Sequence, residues 1–128
     1  MAKWFAARLR YLALAALTVV LGLVVHLGGP RPAPAWRDVL GDALWAAMIL
    51  WGAGAAVPWV RPAVRAAAAL GVCFAVEVSQ LYHAPALDAL RGTTLGQLAL
   101  GSGFDARDLA AYAAGVLAAA LLDRASTE

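Results

Sequence analysis

The chain alternates between long apolar runs and short polar connectors. Four apolar runs lie at about residues 10–27, 41–58, 64–82 and 106–123. Each is close to the roughly 20 residues that an α-helix needs to cross a bilayer. None shows the period-two pattern of a strand, and a backbone in lipid must satisfy its hydrogen bonds within the segment. The pattern predicts an all-α, polytopic membrane protein with four transmembrane helices in a single domain, residues 1–128.

The composition agrees with a location in the membrane. Hydrophobic residues make up 63% of the chain, charged residues 14%, and the mean hydropathy is +0.74, outside the usual range for soluble proteins. The net charge is +2, but the basic residues are scattered and form no block, so nucleic-acid binding is excluded. The single cysteine, Cys73, allows no intramolecular disulfide and no paired-cysteine motif. We expect no cofactor and no metal.

The connectors differ in character. The first apolar run follows three basic residues, as in a signal peptide, but its length favours a retained span. The connector between the second and third runs is short, near Pro58 and Pro62, which predicts a hairpin. Residues 84–105 form the longest connector, and leucines recur in it between glycines. Such a connector, partly hydrophobic, indicates short interfacial helices or a re-entrant piece.

The basic residues indicate an orientation. With the N-terminus inside, six basic residues flank the inner ends of the runs and four flank the outer ends. The inner set is Lys3, Arg8, Arg10, Arg61, Arg65 and Arg124, and the outer set is Arg31, Arg37, Arg91 and Arg107. Because basic residues are enriched in cytoplasmic loops, this bias favours both termini in the cytoplasm. We expect the tail beyond Arg124 to be disordered.

Polar residues inside the apolar runs converge in this topology. Glu77 and Gln80 lie on one helix face, as do Asp108 and Tyr112. Asp42 lies near the outer end of the second helix, and Arg91 belongs to the connector that follows the third. The sequence therefore predicts a ligand-binding site near the outer leaflet, to which His26 and His83 would also come close. Its candidate residues are Asp42, Glu77, Gln80, Arg91, Asp108 and Tyr112.

An ionised carboxylate inside a membrane helix costs about 2.5–3.5 kcal/mol, so it needs a partner. We expect Arg91 to pair with Glu77, since its planar fork holds two acceptors. Structural roles remain open: Glu77 and Gln80 could simply hydrogen-bond between helices, and Arg91 could clamp the connector. Asp42 and Asp108 could be residues favoured at a helix start.

The ordered motifs resemble a known family. They read Gly41-Asp42-x-Leu44-Trp45, Glu77-x-x-Gln80, Arg91-x-Thr93-Thr94-Leu95-Gly96 and Gly103-Phe104-x-x-x-Asp108-x-x-x-Tyr112-x-x-Gly115. This pattern is similar to the bacterial membrane-protein family called domain of unknown function 2809, over about residues 9–122. The resemblance implies a multi-pass protein of the bacterial inner membrane with no assigned activity. The reduced pattern also resembles, more distantly, the VanZ-like family, which is associated with resistance to a lipoglycopeptide antibiotic.

Three functions fit these observations. The first is binding of membrane lipids, or of a lipid-linked envelope precursor, through its head group; Arg91 would meet a phosphate. The second is an intramembrane enzyme acting on a lipid-linked or cell-wall substrate, with Glu77 or Asp108 as general acid or base. The third is a transporter component, for which small-residue helix faces could support a homo-oligomer. A metal bound by Asp42, Glu77 and His83 is a weaker hypothesis.

Overall fold

A computed structural model describes residues 1–29, 34–93, 96 and 106–127, and these form helices and no strand. The all-α prediction is therefore confirmed for this part of the chain. The helices are α1 (Ala2–Leu27), α2 (Ala35–Ala56), α3 (Pro62–Ser79), α4 (Pro85–Arg91) and α5 (Ala106–Thr127).

Three of these helices, α1, α2 and α3, are long and apolar enough to cross a membrane. The fourth long helix, α5, is not among them. Its stretch between Asp108 and Asp123 spans about 22 Å at 1.5 Å per residue, shorter than the hydrocarbon core of about 30 Å. The helices indicate a membrane protein, whereas the predicted count of four spans is not confirmed.

Several helix ends differ from the predicted ones because hydropathy marks a membrane boundary and not the end of a helix. The helix α1 begins at Ala2, since its polar first turns are as helical as the apolar run that follows. At the other end of the chain, α5 continues to Thr127. The expectation of disorder beyond Arg124 is therefore wrong up to that residue.

The connectors are only partly described. The short link between Ala56 and Pro62 gives the predicted hairpin of α2 and α3. In the long connector, α4 is one of the expected short helices, and it begins with Pro85 in its first turn, where a missing N–H costs nothing. Most of the remainder, 94–95 and 97–105, lies outside the described residues, and so does the predicted re-entry into the bilayer.

Contacts between side chains define how the helices run. Arg65, near the start of α3, meets Asp123, near the end of α5, while Glu77 at the end of α3 meets Tyr112 of α5. The helices α3 and α5 are therefore antiparallel. Because α2 is also antiparallel to α3, α2 and α5 run in the same direction and pack side by side.

The centre of the bundle is apolar and built largely from small side chains. It comprises Ala46, Leu50, Trp51, Ala69, Cys73, Val116 and Ala119, all buried. Cys73 is completely buried and packs as a small residue of this core. The outward side of α1 exposes Leu12, Leu17, Val20 and Val24, as expected of a helix surface that faces lipid.

Two glycines allow helices to approach closely. A Cβ atom on Gly115 of α5 would lie 2.8 Å from the Cα atom of Ala43 and closer still to its carbonyl oxygen. A Cβ atom on Gly54 of α2 would lie 2.7 Å from the ring of Tyr11. Since real Cβ atoms do not sit this close to backbone, α2 and α5 can pack at this separation only with glycine at position 115.

Gly115→Ala should destabilise the bundle by about 1–3 kcal/mol, because the added methyl forces α2 and α5 apart. The matched control is Gly52→Ala on α2, where an added Cβ meets nothing within 4 Å. Unfolding by denaturant in detergent micelles measures both. Equal stabilities of the two variants would contradict the close approach.

Candidate functional site

Three carboxyl groups from three helices meet near one end of the bundle; we call Asp42 of α2, Glu77 of α3 and Asp108 of α5 the acidic cluster. The side chains of Asp42 and Asp108 lie within hydrogen-bonding contact, and Glu77 is close enough to act on Asp42 electrostatically. Asp38, one turn before Asp42, adds a further negative group nearby. The predicted convergence of these carboxylates is therefore present in the structure.

Two ionised carboxylates in contact repel each other, so the contact between Asp42 and Asp108 is favourable when one of them is protonated or a positive group lies beside them. The two groups reach each other because α2 and α5 run in parallel and both begin at this end. Both side chains are partly exposed, so the pair lies at the border of the cluster. This arrangement can accept a proton, donate one, or bind a group that supplies its own.

Tyr112 joins the cluster from the same face of α5 as Asp108. Its hydroxyl donates to Oε2 of Glu77 at 2.9 Å, and both residues are buried, Glu77 at 0% exposure. The ring of Trp45 packs against the Tyr112 ring with 5.8 Å between centroids. One hydrogen bond and one ring contact thus connect α2, α3 and α5 at the level of Glu77.

Arg91 has a different role from the predicted one. Its Nη1 donates to the carbonyl oxygen of Tyr82 and its Nη2 to that of Ser79, both at 2.9 Å, and Nη1 lies 3.4 Å from Asp88. In the described residues it therefore does not pair with Glu77, and that prediction is wrong. The last carbonyl groups of a helix have no partners within the helix and attract cations. Arg91 binds the carbonyl oxygen of Ser79, the last residue of α3, and that of Tyr82 just beyond it, which is the structural clamp considered above.

The remaining candidates lie around the cluster. Gln80 caps the C-terminal end of α3, three residues after Glu77, and is buried; its backbone N–H donates to the carbonyl oxygen of Glu77 at 3.1 Å. His83 is mostly exposed, and its Nδ1 lies 3.2 Å from Asp88, so it is not part of the cluster. His26 is half-buried in the last turn of α1. Among the described residues, no three His, Cys, Asp or Glu side chains are placed to hold a metal ion.

A comparison with known families matches residues 32–116 to the family described as "Protein of unknown function (DUF2809)". The chain belongs to this family. The matched segment of this DUF2809 protein contains all six candidate residues and most of α2 to α5. It excludes Tyr11 and Asp123. No solved structure matches the chain, and the resemblance to VanZ-like proteins stays a prediction.

The DUF2809 protein also has a buried ionic network at the opposite end, which the sequence reasoning missed. Asp123 of α5 accepts from Tyr11 of α1 at 2.7 Å through Oδ1 and from Arg65 of α3 at 3.2 Å through Oδ2. Arg65 also donates to the Tyr11 hydroxyl at 3.0 Å. All three side chains are at most 5% exposed. Arg10 adds a looser contact, 3.5 Å from Oδ1 of Asp123.

A spacing in the sequence could have revealed this basal network of Tyr11, Arg65 and Asp123. Residues that pair between two antiparallel helices are separated by nearly equal lengths along each. Arg65 lies 12 residues before Glu77, and Asp123 lies 11 residues after Tyr112. The orientation argument treated Arg65 as a charge at the membrane surface, and it gave no partner to Asp123, the last residue of the fourth apolar run. Arg37 was also treated as an exposed charge, yet it is buried beside Gly29.

Asp123→Ala should destabilise this protein by about 3–5 kcal/mol, because it leaves the Arg65 guanidinium buried without its counter-charge. Arg61→Ala is the matched control. It removes an exposed arginine one helical turn before Arg65 and should change stability by no more than about 0.5 kcal/mol. Denaturation in micelles, followed by circular dichroism, compares the two. Similar losses would mean that the network contributes nothing beyond surface charge.

Proposed function

We propose that this protein spans the bacterial inner membrane four times, with both termini in the cytoplasm. Support for the fourth span is that α5 packs along both α2 and α3, and its terminal charges, Asp108 and Asp123, are each engaged by neighbouring helices. Six of the ten basic residues then lie on the cytoplasmic side. In this orientation the basal network borders the cytoplasm and the acidic cluster lies near the outer leaflet.

We infer that the acidic cluster binds the head group of a membrane lipid or of a lipid-linked envelope precursor. The observation that supports this function is the meeting of Asp42 and Asp108 beside the fully buried Glu77. Carboxyl oxygens accept hydrogen bonds and balance positive charge. A head group that offers an amine or several hydroxyls fits them.

The chemistry of the head group follows from the part played by Arg91. Both terminal nitrogens of Arg91 are engaged by the carbonyl oxygens of Ser79 and Tyr82, so a phosphate would have to compete with the end of α3. The partly exposed carboxyl pair, in contrast, lies at the border of the cluster. We therefore favour an amine or hydroxyl ligand over recognition through phosphate alone.

A second function is favoured by the contact between Asp42 and Asp108. Two carboxyl groups that share a proton can act as general acid and general base in turn. An enzyme acting on a lipid-linked or cell-wall substrate would use this pair to move a proton at the bond that reacts. Tyr112 and Glu77 would then orient the substrate.

The proposal is tested by lipid retention. Protein in nanodiscs that contain phosphatidylethanolamine and phosphatidylglycerol is released and analysed by native mass spectrometry. We expect wild type to retain the amine lipid preferentially, and Asp42→Asn to lower that retention about tenfold, the loss of one hydrogen bond to a charged group. Glu77→Gln should also lower retention of the amine lipid.

Asp88→Asn is the matched control, since Asp88 is an exposed carboxylate at the same end but outside the cluster. It should leave lipid retention unchanged. No preference for the amine lipid in wild type, or equal losses in Asp42→Asn and Asp88→Asn, would contradict amine binding at the cluster. Turnover of a lipid-linked substrate that Asp108→Asn abolishes would instead favour the acid–base function.

A further inference from the structure

A groove lies at the opposite end of the bundle from the acidic cluster. It is enclosed by the first turns of α1 and by the link between α2 and α3, and it holds about 630 Å³. Its lining residues are Met1, Ala2, Trp4, Phe5, Arg8 and Trp59. We call it the basal groove. Most of its wall is aromatic or apolar, and Arg8 is its charged lining residue.

Contacts with aromatic rings and backbone hold the cations at this groove. The Arg8 guanidinium lies over the Trp59 ring at 5.3 Å, and its Nη2 donates to the carbonyl oxygen of Ala56 at 3.4 Å. Lys3 lies over the Trp4 ring at 4.6 Å. A guanidinium has five N–H donors, and in the described residues this is the hydrogen bond that Arg8 makes. Most of its donors remain available to a ligand at the groove.

Among the described residues, the exposed charged side chains beside the groove are all basic. Lys3, Arg8 and Arg61 are exposed, whereas the nearby acid, Asp123, is buried and already bound by Arg65. Trp59 and Phe5 are exposed at 55% and 66%. Exposed tryptophans beside basic residues at helix ends are typical of the level of the lipid head groups.

We propose that the basal groove binds an anionic phospholipid of the leaflet at this end of the protein. The phosphate would meet Arg8 in a charge-assisted hydrogen bond, and Lys3 would add attraction to the negative surface. Trp4, Phe5 and Trp59 contact the glycerol region and the upper acyl chains. A water-soluble anion would use the guanidinium but leave this apolar wall exposed, so the lining favours a lipid. The proposal requires a membrane-spanning chain but does not depend on a ligand at the acidic cluster.

The test compares two exposed arginines of equal charge, Arg8 in the groove and Arg61 outside it. Full-length protein is placed in nanodiscs of phosphatidylglycerol and phosphatidylcholine, and the lipids retained on release are counted by native mass spectrometry. Wild type should retain phosphatidylglycerol preferentially. Arg8→Gln should lower that preference about tenfold, as expected for the loss of a hydrogen bond between charged groups, and Trp59→Ala should lower retention of the same lipid. Arg61→Gln, which removes an arginine outside the groove, should retain it as wild type does.

Equal losses in Arg8→Gln and Arg61→Gln would overturn the proposal, because they would show general attraction to anionic lipid. The absence of any preference in wild type would also overturn it. Displacement of phosphatidylglycerol by millimolar inorganic phosphate would indicate a soluble-anion site and contradict a lipid site. Because Arg8 and Trp59 are exposed, their variants should keep the fold, which the thermal unfolding midpoint checks. Asp42→Asn should leave this retention unchanged, so failure here is distinguishable from failure at the acidic cluster.

Discussion

A charged side chain that is buried inside a membrane protein needs an opposite charge or a hydrogen-bond partner beside it. This constraint determines how the helices of this protein pack together. The basal network meets it with Arg65, Asp123 and the Tyr11 hydroxyl, all buried and in direct contact. These three residues come from α3, α5 and α1. Separating these residues would leave a charge buried without its partner, which is strongly destabilising. The network therefore fixes the positions of the three helices along their axes relative to one another.

The acidic cluster fixes the relative positions of α2, α3 and α5 at the other end of the bundle. There the contact between Glu77 and Tyr112 joins α3 to α5, and the contact between Asp42 and Asp108 joins α2 to α5. Between the two levels the core is formed mainly by small side chains, and Gly115 lets α5 lie against the backbone of α2. Small residues alone would allow the helices to slide along each other. Polar contacts at both ends remove that freedom.

The two levels differ in chemistry, and this difference supports a division of roles. The basal network holds a cation, an anion and a hydroxyl that satisfy one another, as expected of a structural element. The contact between Asp42 and Asp108 joins two acids, which is favourable only with a proton or another positive group present. Asp42 and Asp108 are also more exposed than the neighbouring Glu77 and Tyr112. A ligand or a transferred proton is therefore expected at the acidic cluster and not at the network.

The sequence was sufficient for part of this picture. Apolar runs located the long helices, and an antiparallel arrangement was enough to bring Asp42, Glu77 and Asp108 together. The partner of Arg91 was not predictable, because the carbonyl groups at the end of α3 compete for its donors and have no signature in the side-chain pattern. Arg65 and Asp123 were missed since hydropathy assigns charges at the end of a run to the surface. Helix ends were misplaced because helices continue past the apolar run.

The central claim, that buried polar side chains on different helices contact one another at the acidic cluster, is tested most directly by a double-mutant cycle. Stabilities of Tyr112→Phe, Glu77→Gln and the double variant would be measured in micelles. Contact between the Tyr112 hydroxyl and Glu77 predicts a coupling free energy of about 0.5–3 kcal/mol. Effects that add to within about 0.3 kcal/mol would mean that the two residues do not meet, and the arrangement of α3 against α5 described above would then be wrong.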